Sequence, residues 1–217
     1  MSIVKKWASC VVSFVAGVLG LALSACSGMI VTKLLDASAL GTLGSAISFN
    51  QTETVKAHKV LTDSHLLKQA KELGVESEFL CLKVFAIITL AIAVLLIAYS
   101  VVMLLKNLNV IKTSNIVFEI VGVVLAVLFL VAAIGLIVSA NNYANAMMPA
   151  AESTIKSMIT LTLQAQGLSG AALTQTLSAI KFDVVAKIGF YQPAILVTSI
   201  VTVIVSGLMF VLNRKKA

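Results

Sequence analysis

His58, His65 and Glu72 recur every seven residues and carry the imidazole and carboxylate groups that bind transition metals. On one helix they would share a face, drifting only about 20° per step. Each step also climbs about 10.5 Å, too far for a single ion, because helix-borne ligands work best three or four residues apart. A solvated polar face is therefore the expectation, with no metal. Glu119 is the one acidic residue inside a long apolar run, and intramembrane carboxylates serve proton or ion paths. It lies about nine residues from the middle of its run, or about 13 Å, near the edge of a hydrocarbon core about 30 Å thick. That depth favours pairing with Lys112 or Lys106 over an ion site. Cys10, Cys26 and Cys81 show neither CxxC nor Cys/His spacing, so they read as reduced thiols behaving as small apolar groups. Asn50-Gln51-Thr52 is a glycosylation sequon, useful only in a host that glycosylates secreted chains. The sequence contains no GxSxG, HExxH, P-loop or glycine-rich dinucleotide fingerprint, so neither catalysis nor a cofactor is expected.

The elements that would hold these side chains are set by composition. The 217 residues are 59% hydrophobic and 12% charged, with mean hydropathy +1.06, against about 45–50% apolar and about 25% charged in soluble domains. A soluble fold is excluded, and two prolines leave no room for a Pro-rich chain. The net charge of +7 is not a nucleic-acid signal, because the basic residues flank apolar runs instead of forming an aromatic-interleaved face. About 20 helical residues cross a bilayer core. Four segments qualify: 7–32, 84–105, 116–140 and 194–212. Trp7, Phe190 and Tyr191 fall where interfacial aromatic anchors belong.

Four crossings put both termini on one side. Lys5, Lys6, Lys106, Lys112, Arg214, Lys215 and Lys216 fall on that side with Glu119 as their only acid, whereas nine lysines face eight acids on the other. Basic residues near helix ends are retained in the cytoplasm, so tails 1–6 and 213–217 and the turn 106–115 are expected there, in a cell membrane. Segments 33–83 and 141–193 are then outer loops, too long to be mere connectors. In the first, 51–73 reads as a helix with Lys59/Asp63 and Lys68/Glu72 at i,i+4 spacing and Gly74 as its stop. In the second, Pro149 and Gly167 bound one helix, with Ile155, Met158, Ile159 and Thr162 on a stripe. Ser169 opens another helix, along which Leu173, Leu177, Ile180 and Val184 form an apolar stripe that must meet the first outer loop, the bilayer or a neighbouring subunit. The fold class expected is all-α: a four-helix tetraspan bundle under a small helical extracytoplasmic cap.

Ala16, Gly20, Ser24 and Gly28 place a small residue at every fourth position of the first run, a groove that lets another helix approach closely. It serves either packing within the bundle or an oligomer interface. The same region has a rival reading. Lys5-Lys6, an apolar stretch and then Leu23-Ser24-Ala25-Cys26 resemble a bacterial lipoprotein signal, which would make Cys26 a lipidated, processed N-terminus. Short tails, a long first outer loop, a short inner turn and a second outer loop are similar in layout to claudin-type and tetraspanin-type proteins. The first loop lacks the claudin tryptophan and cysteine pair and the second lacks the tetraspanin Cys-Cys-Gly, so no family residues carry over. The function expected is non-enzymatic: a self-associating structural or scaffold component, or a cell-surface interaction protein, partnered by the bilayer and by its own copies or a membrane complex. A subunit of an oligomeric pore or transport complex is the alternative; its path would need an assembly, because polar residues are too few to line one monomer.

Overall fold

The computed structural model of the chain describes residues 3–36, 48–111 and 115–214. The chain opens with α1, Ile3–Leu23, whose apolar stretch Trp7–Ala25 runs 19 residues. It stops in a turn closed by Cys26 N donating to the Leu23 carbonyl at 2.9 Å. Gly28 and the stretch Met29-Ile30-Val31-Thr32 then leave the helix and form β1, Ser27–Asp36. The first span therefore ends at Ala25, short of the expected residue 32. Ile30, Val31 and Thr32 are β-branched, lose rotamer freedom in a helix and pack well on a pleated surface. The hydropathy of this stretch made it look like more membrane helix.

Two further strands complete a sheet of order β2-β1-β3, antiparallel throughout: β2 is Phe49–Lys56 and β3 is Lys181–Ile188. Val31 sits opposite both Glu53 and Ala186, which fixes the register. Gly28 is the bulged residue where β1 meets β2; a Cβ there would lie 2.9 Å from Ala57 Cα, so only glycine fits. Met29, Val31 and Leu35 of β1, with Val184 and Ala186 of β3, are buried on one face of the sheet.

The expected helix over 51–73 is thus divided. Its first residues belong to β2, where Thr52, Thr54 and Val55 supply β-branched side chains. The rest forms α2, Ala57–Thr62, and α3, Ser64–Glu72. Asp63 separates them, because its carboxylate accepts the His65 backbone N–H at 2.9 Å and caps α3 instead of serving an i,i+4 pair. Gly74, at φ +70°, makes the turn that follows.

Two long helices come next, α4 at Glu76–Asn107 (32 residues) and α5 at Asn115–Ala165 (51 residues). Then come α6, Gly170–Ala179, and, after β3, α7, Tyr191–Arg214. The long helices form a ring, α1 beside α4, α4 beside α5, α5 beside α7 and α7 beside α1. Chain order makes neighbours antiparallel, so one end of the bundle carries the sheet and the other carries both termini and the α4–α5 turn. Ala93, Leu96, Phe129, Ala133, Leu136 and Ile195 fill the interior at 0–1% exposure. Outside, Phe14, Val18, Ile87, Val94, Val131, Val197 and Ile204 are about half exposed, an apolar belt unsuited to water. Four helices are long and apolar enough to cross a membrane, which suggests a multi-pass membrane protein.

The sequence divides α5 at Pro149, but the helix runs straight through it. Pro149 and Asn145, whose carbonyl loses its partner, both lie on the exposed side, where that carbonyl can be solvated. The apolar belt on α5 ends at Val138, and exposed Asn141 and Asn142 follow. Roughly 25 residues of the helix, about 38 Å at 1.5 Å each, extend past that border. The inner face of the sheet packs along this extension. The chain is mostly helical, but the all-α description is corrected by these strands: what covers the bundle is a mixed layer of sheet and helices.

Candidate functional site

The distal end of α5 is built by two apolar groups with opposite roles. Facing the sheet, Ile159 and Leu163 of α5 are buried with Leu35 of β1 and Ile180, with Ile155, Leu168, Leu173, Leu177 and Phe182 packed around them. The stripe expected from Leu173 to Val184 is therefore not one helix face. Leu173 and Leu177 lie on α6, Ile180 follows its end, and Val184 sits on β3 at 7% exposure. Leu173, Leu177 and Ile180 meet Leu35 and α5, and Val184 shares the inner face of the sheet, so all four serve the protein's own core. Gly167, at φ +88°, supplies the turn that lets α6 fold back.

On the other face of α5, Met158 and Leu161 point away from this core at 62% and 66% exposure. They stand about six turns, or over about 30 Å, beyond the last belt residue, Val138. The stretch 157–180 that surrounds them contains no charged residue. Its polar side chains, Ser157, Thr160, Gln164, Gln166 and Gln175 among them, are neutral hydrogen-bonding groups. Met158 and Leu161 are thus large exposed apolar side chains in an uncharged stretch at the far end of a long helix. The sequence puts Met158 on one stripe with Ile155, Ile159 and Thr162; only the position of the sheet decides which of them are covered and which face out.

The remaining candidates take other places. Ala16 (3% exposed) and Gly20 lie in the bundle with Gly17 beside them: a Cβ on Gly17 would lie 2.6 Å from the Ala93 carbonyl oxygen, and one on Gly20 2.8 Å from Ala93 Cβ. Those two positions let α1 approach α4 of its own chain. Ser24 belongs to the turn, its hydroxyl donating to the Leu21 carbonyl at 2.6 Å, and Gly28 to the sheet, so the fourfold small-residue spacing does not continue along one helix. The Gly28 carbonyl accepts from Gly189 N at 2.9 Å and Gln192 Nε2 at 2.6 Å, tying the sheet to the start of α7. Beside this joint the Tyr191 hydroxyl and Gln192 Oε1 are buried without a hydrogen-bond partner among the described residues.

Glu119 lies at the terminal end, where it interacts electrostatically with Lys106. The Lys106 ammonium stands 4.4 Å from the Phe118 ring centroid, and the Tyr99 hydroxyl donates to the Phe118 carbonyl at 3.0 Å. His58 and His65 fall on different helices, α2 and α3, which breaks their common face. His58 Nδ1 lies 3.3 Å from the Ser24 carbonyl oxygen. Among the described residues no group of three His, Cys, Asp or Glu side chains is placed to hold a metal ion. All three cysteines are free: Cys10 is buried with its thiol donating to the Ser100 carbonyl at 3.1 Å, Cys26 is half-buried in the turn, and Cys81 is exposed on α4. Asn50 is exposed on the edge strand β2, opposite Leu34.

The chain matches no protein-family model and no curated protein. Its functional reading therefore rests on geometry alone.

Proposed function

We propose that the protein is a non-enzymatic four-span scaffold of the cell membrane that holds an interaction surface away from the bilayer. The observation that carries this reading is the unbroken 51-residue α5, whose distal half is braced by the sheet and ends in the exposed pair Met158 and Leu161. A helix held along one side by a sheet keeps its direction, and a rigid strut presents a contact patch at low entropic cost. In this reading the two termini and the α4–α5 turn are cytoplasmic and the sheet end is outside, in keeping with the near balance of charge at the sheet end and its surplus at the other. The contact surface serves self-association or a membrane-complex partner.

The tightly filled bundle interior favours a scaffold over a pore. Ser199, Thr202 and Ser206 are buried on α7, but the first two hydroxyls are spent on carbonyls of their own helix, and the large side chains of Leu96, Phe129 and Leu136 are fully buried among the helices. Processing at Cys26 fits less well, because removal of α1 would strip the α4 and α7 faces it covers.

The test is the double substitution Met158→Asp and Leu161→Asp, with solubilised mass and crosslinking in membranes as readouts. Both side chains are solvent-facing, so the melting temperature stays put while higher-order complexes disappear. Complexes that persist unchanged contradict the proposed surface.

A further inference from the structure

The other end of the bundle has a chemistry of its own. Lys5 and Lys6 occupy the first turns of α1, Lys106 the last turn of α4 and Arg214 the last residue of α7, and the ring places α1 between the other two helices. Three adjacent helices thus bring their basic positions to one rim. Among the described residues this end carries Lys5, Lys6, Lys106 and Arg214 with a single acid, Glu119, which interacts electrostatically with Lys106. The other eight acids fall within 36–78 and 152–183, at the sheet end. A hydrocarbon core about 30 Å thick separates the two ends, several Debye lengths of about 8 Å at physiological salt. The acids of the sheet end therefore cannot neutralise the rim.

We propose that this rim binds the headgroups of anionic phospholipids, gathering them from the surrounding leaflet. Lysine supplies a compact point charge and arginine a planar fork of donors matched to phosphate oxygens. The positions that carry them lie at the helix ends, beyond the apolar runs Trp7–Ala25 and Tyr191–Leu212. A zwitterionic headgroup offers the same phosphate but cancels its charge with the choline ammonium, so the surplus on the protein selects net-negative lipid. Each basic residue near a bilayer surface strengthens such attraction about fivefold. The inference is independent of the distal surface and of which side of the membrane the rim faces.

Trp7, the single tryptophan, follows Lys6 directly and reports on this rim. The protein is reconstituted into phosphatidylcholine vesicles holding phosphatidylglycerol as a minor component, with bromine on the tails of one lipid or the other. At equal bulk fraction, brominated phosphatidylglycerol is expected to quench Trp7 about fivefold more effectively than brominated phosphatidylcholine, and the preference fades as salt rises. Lys5→Gln with Lys6→Gln and Arg214→Gln brings the ratio towards one. Lys181→Gln with Lys187→Gln, at the sheet end, leaves it unchanged. Emission in pure phosphatidylcholine that matches wild type shows that each variant retains its fold. Quenching that tracks bulk composition in the wild type, or a preference that the triple substitution leaves undiminished, overturns the proposal.

Discussion

Replacing Gly17 by alanine tests whether α1 belongs to its own bundle. A Cβ at this position falls 2.6 Å from the Ala93 carbonyl oxygen and 2.5 Å from Ile97 Cγ1, where ordinary contact begins at 3.4 Å. The oxygen is backbone, so α1 and α4 must separate by about 0.8 Å along a face that also seats Ser13, Ala16 and Gly20. Overpacking of this kind costs about 1–3 kcal/mol, and the better helix propensity of alanine returns at most about 1 kcal/mol. A net loss of about 1–2 kcal/mol lowers the melting temperature by about 2–8 °C for a chain of this size. Gly207 on α7 is the matched control, because its Cβ would meet nothing within 4 Å. Gly207→Ala should be neutral or slightly stabilising. Both are read by thermal unfolding in one detergent, with the mass of the solubilised particle measured alongside. If Gly17→Ala melts like wild type, or splits an oligomer without loss of monomer stability, α1 packs against another copy and the assignment of its small-residue face is wrong.

Tyr191→Phe removes a buried hydroxyl that has no partner among the described residues, and should raise stability by about 1 kcal/mol, measured by the same unfolding assay; a loss instead reveals a partner, such as a buried water. Asp63→Ala deletes the cap of α3 and should cost about 0.5–2 kcal/mol. Hydrogen exchange should quicken at His65 and its neighbours while the α4 amides stay protected, and unchanged protection would show that the cap carries nothing.

The four long apolar helices were legible because each contains a long apolar run flanked by lysine, arginine or asparagine, a signal that needs no knowledge of the rest of the chain, although the first run outlasts its helix. Gly74 and Gly167 were legible as stops for a similarly local reason, the positive φ that each adopts. The sheet was not. Met29 to Thr32 are as apolar as a membrane helix, and only their pairing with Phe49–Lys56 on one side and Lys181–Ile188 on the other makes them a strand. Those partners are about 20 and about 155 residues distant, and neither is recognisable as a strand alone. The continuity of α5 through Pro149 was hidden because proline signals a boundary in isolation, and only the exposed side on which it falls makes it tolerable. The distal surface was missed for a related reason: Met158 and Ile159 are neighbours of equal hydrophobicity, and the sheet alone decides which is covered. The uncharged run 157–180 was the one clue in the sequence to that surface.

The central claim is that α5 carries its distal half to the side of the membrane opposite the α4–α5 turn. Single cysteines at Ser157 and at Asn109, in a chain whose own cysteines are replaced by serine or alanine, test it most directly. Both positions are exposed. A membrane-impermeant maleimide added to intact cells should label position 157 at once and position 109 only after permeabilisation. Labelling of both positions together, or of neither before permeabilisation, contradicts the claim, and labelling of 109 alone reverses the proposed orientation.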